Sequence, residues 1–227
     1  MNITFLGHSA MLVAGGERRV IIDPFLTGNP AAAMPAAEVK VDAVILTHAH
    51  GDHFGDAIDI AKANDCPIFA IVELAGYCKS KGVKTHGMNL GGSFEENGIR
   101  VQFTPALHSS SIQENGTLIY AGTPAGVVLT MGGKTLYHAG DTALFSDLKL
   151  VGRRVPIDVA ALPIGDYFTM GPEDALDAAS LIGAKHVIPV HYNTFPPIRQ
   201  DGEAFVKRLE AIGIAGHALK PGETLTV

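Results

Sequence analysis

The sequence predicts an α+β chain built from two β-sheets with helices on their outer sides. Two observations carry that expectation. Short apolar runs broken by turn residues fill residues 3–22 and 93–138, which is how antiparallel strands read. Each stretch then leads into apolar runs that alternate with helical spacing, the pattern of β/α units. A third observation concerns domain organisation: no short-period repeat, low-complexity tract or Ser/Gly linker interrupts the chain. Residues 1–227 are therefore read as one domain.

In order, Ile3–Leu6, Met11–Val13 and Val20–Ile22 form a meander turned at Gly7-His8-Ser9 and Gly15-Gly16, and Asp23-Pro24 ends it. Residues 27–40, rich in Ala and Pro, form a long surface loop. Val41–Thr47 is nearly continuous in apolar residues, as in a buried strand. Helical spacing follows over Phe54–Asn64, a strand over Pro67–Val72, and a short helix over Glu73–Lys81 that Gly82 ends. Ser93–Glu96 and Ile99–Thr104 form a hairpin across Asn97-Gly98, a dipeptide suited to the twisted two-residue turn. Gly126–Met131 and Lys134–His138 form another across Gly132-Gly133. The remainder alternates: strand Val159–Ile164, helix Pro172–Ile182, strand Val187–Val190, helix Glu203–Ile212 and a terminal strand near Thr224–Val227. Pro172, Glu173 and Asp174 suit a helix first turn.

Composition narrows the function. With 47% hydrophobic and 18% charged residues the chain is not disordered. Its size supports a core without disulfide staples. Cys66 and Cys78 form no disulfide framework, so a reducing cytosol is expected. A net charge of −6 argues against a nucleic-acid partner, which normally meets a basic stripe. No apolar run approaches the ~18–20 residues of a membrane helix, and the opening MNITFLGHSAMLVAGG carries no signal-peptide pattern. A small-molecule partner is expected, with a homo-oligomer left open.

Histidine is the unusual residue: there are ten. Thr47-His48-Ala49-His50-Gly51-Asp52-His53 places three imidazoles and a carboxylate directly after a buried strand. As a loop at a strand end, it offers His48 and His50 to one ion and aims Asp52 and His53 at a second. These donors suit Zn, Mn and Fe. A solvated or accidental histidine run is the competing reading, and this spacing disfavours it strongly. His108, Asp141 and His191 each follow an apolar strand and are candidates for the same rim, Asp141 as the anion between two dications. Taken singly, each is as readily structural.

These motifs, with the early Asp23, His48–His53, His108, Gly140-Asp141 and His191 in that order, resemble the metallo-β-lactamase superfamily over almost the whole chain. Gly7-His8-Ser9, Thr169–Ala175 and His191–Phe195 look most like its compact metal-dependent hydrolase branch, similar to L-ascorbate-6-phosphate lactonase. The resemblance implies a four-layer αβ/βα sandwich with a two-metal site on one edge. It implies that His48, His50 and His108 hold one divalent ion, that Asp52, His53 and His191 hold the other, and that Asp141 bridges them. No Cys ligand, redox-branch glutamate or inserted nuclease domain is present.

Other residues receive weaker expectations. His8 can face the site as a substrate-binding or proton-donating group, against a surface-turn alternative. Asp23 is expected to hold the 48–53 loop without touching metal, and His138 to lie in the core or beside the ligands. Asp166, Tyr167 and Asn193 are candidates for substrate contact, and Ser109-Ser110-Ser111 and the Gly-rich 115–126 stretch for substrate oxygens or, as readily, a flexible loop. His86, His186 and His217 are read as structural or solvent-facing. The expected function is a hydrolase whose two metals provide hydroxide that attacks a small ester, lactone or phosphodiester, with Asp52 moving the proton. A non-catalytic metal-binding or sensing protein of the same fold is the alternative. The four charges of two dications exceed the roughly three returned by Asp52, Asp141 and hydroxide, so an anionic substrate is expected.

Overall fold

The computed structural model describes residues 1–227, the Arg154 side chain excepted. The first half begins with the antiparallel strands β1 (Asn2–Gly7), β2 (Ala10–Gly15) and β3 (Arg18–Ile22). It continues through β4 (Ala43–Ile45), helices α1 (Gly51–Phe54) and α2 (Ala57–Ala63), β5 (Ile68–Ile71), α3 (Val72–Ser80) and β6 (Thr85–Met88). From β3 to β6 the strands pair in parallel. The second half repeats this plan. Strands β7 (Ser93–Glu96) and β8 (Ile99–Pro105) precede a separate hairpin, β9 (Ser111–Glu114) and β10 (Thr117–Tyr120). Then come β11 (Ala125–Met131), β12 (Lys134–His138), α4 (Val151–Arg154), β13 (Val159–Pro163), α5 (Pro172–Ile182), β14 (His186–Val190), α6 (Gly202–Ala211) and β15 (Ala215–Gly216). The last strand, β16 (Thr224–Thr226), returns to pair with β1.

Two seven-stranded sheets result, ordered β16-β1-β2-β3-β4-β5-β6 and β15-β14-β13-β12-β11-β8-β7. Their inner faces share one core in which Ile3, Phe5, Met11 and Phe69 of the first sheet meet Phe103, Val127, Leu129 and Ile188 of the second. The alternation along each strand sends the other side chains outward. There Ile21, Val44 and Ile68 pack on Ile60 of α2 and on Leu74 and Cys78 of α3. On the far side Tyr137, Ala160 and Val187 pack on Ala178 of α5 and on Phe205 and Leu209 of α6. The order of layers is helix, sheet, sheet, helix, the sandwich that the resemblance implies. No helix among the described residues is long and apolar enough to cross a membrane. Cys66 and Cys78 are unpaired and buried, and burial pushes their thiols up to about 11 and 12.

Several expected elements differ. The 41–47 run is extended only over β4, because the chain leaves the sheet toward the histidines. The 48–53 segment is not all loop: α1 starts at Gly51, and the expected 54–64 helix is cut at Gly55. Gly55 has φ +40°, and a Cβ there would collide with the Pro24 carbonyl and lie 2.6 Å from Phe25 Cα. The 115–126 stretch is not all flexible loop: it supplies the turn and second strand of a hairpin, and the turn, Asn115-Gly116, has φ of 52° and 76°. That is the same turn chemistry as Asn97-Gly98, but Thr117–Tyr120 is exposed throughout and shows no alternation that would mark it as a strand. Strands β6 and β15 and helix α4 lie outside the expected elements, being short and without a clear apolar period.

Candidate metal centre

The C-terminal ends of the parallel strands of both sheets lie on one edge of the sandwich, and the histidines gather there. In the first sheet Asp23 ends β3 in a left-handed conformation, φ +46°. Its fully buried carboxylate accepts the Thr47 amide at 2.9 Å through Oδ1 and the Thr47 hydroxyl at 2.6 Å through Oδ2. The same Oδ2 lies 2.7 Å from His53 Nδ1. Burial works against the carboxylate charge, but the His53 imidazole outweighs it and keeps Asp23 below the usual carboxylate range. Asp23 thus braces both ends of the 47–53 segment and turns His53 Nε2 toward the site. Asp23, His48 and His53 do lie close enough to suggest a cation site of their own. Both Asp23 oxygens already accept hydrogen bonds, however, so we assign Asp23 to support.

The second sheet delivers three residues from three places. His108 follows β8, Asp141 follows β12 and His191 follows β14. His138, at the end of β12, is fully buried; its Nε2 lies 2.9 Å from the Ser9 carbonyl, and its Nδ1 accepts the Gly140 amide at 3.1 Å. This tethers the Asp141 turn to the Gly7-His8-Ser9 turn. Gly140 has φ +61°, and a Cβ there would lie 2.8 Å from Thr47 Cβ, so glycine lets the Asp141 turn approach the His48 strand. His191 and His8 are also left-handed, with φ of 55° and 57°. The His191 amide donates to the His8 carbonyl at 2.8 Å. Such backbone costs of order 1–3 kcal/mol per residue and persists where surrounding contacts enforce it.

Asp141 lies among four imidazoles. His53 Nε2 is 3.2 Å from its Oδ1, while Oδ2 is 3.1 Å from His191 Nε2, 3.5 Å from His108 Nε2 and 3.9 Å from His48 Nε2. His48, His50 and His108 offer donor atoms within 4.8 Å of one another, and so do His8, Asp52, His53 and His191. His53 Nε2, His191 Nε2 and Asp141 Oδ1 are buried and make no well-aligned hydrogen bond, their approaches at 3.1 and 3.2 Å being ion-pair contacts alone, and such atoms are costly unless something binds them. Nitrogen and carboxylate oxygen donors, unpartnered and converging, fit divalent first-row ions.

The electrostatics agree. Burial disfavours a charged His53, yet Asp141 and Asp23 raise its pKa well above the usual histidine value. Burial opposes His191 likewise, and Asp141 with Asp52 lifts it to about 9. Asp141 is held well below the carboxylate range, against burial, by His53 and His191. His48, His50 and His108 are lowered, chiefly by burial. The carboxylates therefore concentrate positive charge where cations would sit, and metal uptake must displace those protons.

His8 is buried rather than in a surface turn. Its Nε2 lies 3.2 Å from Asp52 Oδ2 and its Nδ1 2.9 Å from the Thr194 hydroxyl. Phe25 and Phe195 stand edge-on to its ring, and burial pushes it down to about 4. A neutral His8 has one proton to place, and the carboxylate needs a donor, so Nε2–H donates to Asp52 and Thr194 O–H to Nδ1. Thr194 belongs to the His191–Phe195 run, and no local pattern marks its role, which comes from contact with a residue 186 positions away. Ser109 Oγ lies 3.4 Å from His50 Nε2, and Ser110 Oγ accepts the Ala49 amide at 3.2 Å.

The three residues expected at the substrate are placed less centrally. Asp166 and Tyr167 are exposed on a loop that rests on His191 through Gly165, where a Cβ would meet the His191 carbonyl. Asn193 is exposed, and both ends of its amide bond the Gln200 main chain, at 2.9 and 3.0 Å. This clips the 193–200 loop. His8 and Asn193 border a cavity of about 470 Å³ that extends to Lys220. A larger cavity of about 600 Å³ opens on the outer face of β8 and β11 and holds none of the candidate ligands. His86 stacks on Phe94, and His186 pairs with His217 at 2.9 Å; none of the three is grouped with the candidate ligands.

A family profile described as the beta-lactamase superfamily domain matches residues 18–192. A UPF0173 metal-dependent hydrolase of Thermus thermophilus is 54% identical over 225 residues, 99% of this chain and 98% of its own length. A protein of the same description from Geobacillus thermodenitrificans is 53% identical over 226 residues, 99% of each chain. Among solved structures, a metallo hydrolase from the archaeon Ignicoccus hospitalis superposes with a TM-score of 0.90 at 37% identity, covering 100% of this chain and 97% of its own.

Proposed function

The chain belongs to the beta-lactamase superfamily, and from that membership and the site's geometry we propose a metal-dependent hydrolase that cleaves a small ester, lactone or phosphodiester. One observation carries the reading: His53 Nε2, His191 Nε2 and Asp141 Oδ1 converge, buried and unpartnered. His48, His50 and His108 would hold one divalent ion, and Asp52, His53 and His191 the other, with Asp141 between them. Bound there, two such ions, Zn, Mn or Fe, supply Lewis acidity toward a carbonyl or phosphoryl oxygen and make hydroxide available near neutral pH.

The chain's own groups do the rest. Asp52 is the carboxylate of the site that solvent reaches, with 29% of its side chain exposed, so it can accept a proton from the attacking water. His8 orients Asp52 through its Nε2–H, and Thr194 sets the His8 tautomer. His53 stays fixed by Asp23, so its Nε2 cannot swing away. Two dications exceed the combined charge of Asp52 and Asp141, the carboxylates that would face them, by two, and by about one with hydroxide included, which favours an anionic substrate in an otherwise acidic protein.

The test is turnover of the Mn- and Zn-loaded protein on a panel of lactones, esters and phosphodiesters. Hydrolysis should vanish with chelator and return with metal. Asp52→Ala should lower the rate at least ~10²-fold, the usual loss for an acid–base group, and undiminished turnover with both ions in place would refute the role of Asp52. Undiminished turnover in demetallated protein sinks the reading.

A further inference from the structure

Ten large hydrophobic side chains face solvent among the described residues, and five stand on three segments that adjoin residues of the metal centre: Leu107 beside His108, Leu118 and Tyr120 on the hairpin that follows Ser109 and Ser110, and Tyr167 and Phe168 on the loop after Gly165. Single exposed apolar residues need no explanation, whereas a gathering beside a site points to recognition. Two of the segments hang on the turn that follows Asp141. The Leu107 amide donates to the Thr142 hydroxyl at 3.0 Å, and its carbonyl accepts the Ala143 amide at 3.1 Å. The Met170 amide donates to the Thr142 carbonyl at 3.0 Å. This seats the loop from which Tyr167 and Phe168 project, packed edge to face at 4.7 Å.

The third segment is the β9–β10 hairpin. Along residues 109–113 burial alternates: Ser110 and Ile112 are buried, while Ser109, Ser111 and Gln113 are not. The outer face of this run begins at the metal centre, since Ser109 Oγ approaches His50 Nε2. Tyr120 opposes Ser111 and Leu118 opposes Gln113, and opposed residues of a strand pair share a face. Tyr120 and Leu118, 70% and 71% exposed, therefore extend that face roughly 7 and 13 Å beyond Ser109, at ~3.3 Å per residue.

We infer that this apolar collar selects substrates in which the reacting, anionic head is joined to an apolar alkyl or aryl body. The inference rests on the hydrolase reading above and names the substrate class of that site. Charge holds the head at the ligand cluster. Removal of apolar surface from water holds the body against Tyr120 and Leu118 on one flank and Leu107, Tyr167 and Phe168 on the other.

The experiment compares octanoate with acetate, titrated calorimetrically into Zn-loaded protein whose metal content is measured. Octanoate should bind at least tenfold tighter. The Leu118→Ser/Tyr120→Ser double variant and Tyr167→Ser should each shrink that ratio, with acetate affinity, metal content and the far-UV spectrum unchanged. Equal affinities with metal in place, or a ratio that no variant moves, overturn the inference and leave the hydrolase reading standing. A protein that takes up no metal overturns both. The open edge of β10 could instead pair with a second copy. A dimer in sedimentation that the double variant dissociates without changing the ratio would assign the hairpin to that contact and overturn its place in the collar.

Discussion

The two halves of the metal centre are built on opposite principles. The half from the first sheet is local: His48, His50, Asp52 and His53 lie within six residues, and one buried side chain, Asp23, braces them by bonding Thr47 and His53. The half from the second sheet is assembled: His108, Asp141 and His191 come from three strand ends spread over 84 positions, counting from 108 to 191. It is held by backbone devices, namely the left-handed His191, the close approach at Gly140 and the His138 tether. A contiguous motif needs one good brace, whereas a dispersed one needs the whole sheet to bring its members into register.

This contrast can be broken or sharpened by substitution. The largest effect belongs to Asp141→Ala, which removes the carboxylate that both halves face; elemental analysis should show both ions lost and turnover gone. Loss of a single ion would make Asp141 a ligand of one half only. Next comes Asp23→Asn, which keeps the shape but weakens the brace of the first half. Metal affinity or activity should fall ~10–100-fold, as when a group supporting a ligand is altered, while the fold survives. Metal titration followed by calorimetry measures it, and an unchanged affinity would remove Asp23 from the supporting role. The smallest effect should come from His138→Gln, which can still offer one donor and one acceptor to Ser9 and Gly140. Affinity should drop less than in Asp23→Asn; a larger drop would show that the second half depends on its tether more than the first does on its brace.

The same contrast explains what could be read in advance. Phase and period in the sequence placed the strands that bury both faces, helix Pro172–Ile182, the two-sheet plan and the histidine cluster, because these depend on neighbours within a few residues. Asp23 was placed beside the 48–53 segment by resemblance, and the structure finds its carboxylate there, bonded to both Thr47 and His53. The break at Gly55 was not readable, since it comes from Pro24 and Phe25 crossing the helix path thirty residues away in sequence. The β9–β10 hairpin is hard to read from the sequence because Thr117–Tyr120 is exposed on both faces and lacks the alternation of a half-buried strand, although Asn115-Gly116 offers its turn.

By itself, then, the sequence determined which side chains were available for metal and which strands would carry them, since ligand chemistry and hydrophobic period are written in residue identity. Only the tertiary structure decided that His8 is buried against Asp52 with Thr194 behind it, that the Asn193 amide closes its own loop, and that five exposed apolar residues from three segments stand beside the metal centre. The first is a meeting of strand ends from different sheets, the second a loop closing on itself, and the third a meeting of segments far apart along the chain. Such meetings depend on how two twisted layers pack face to face, which no local pattern along the chain encodes.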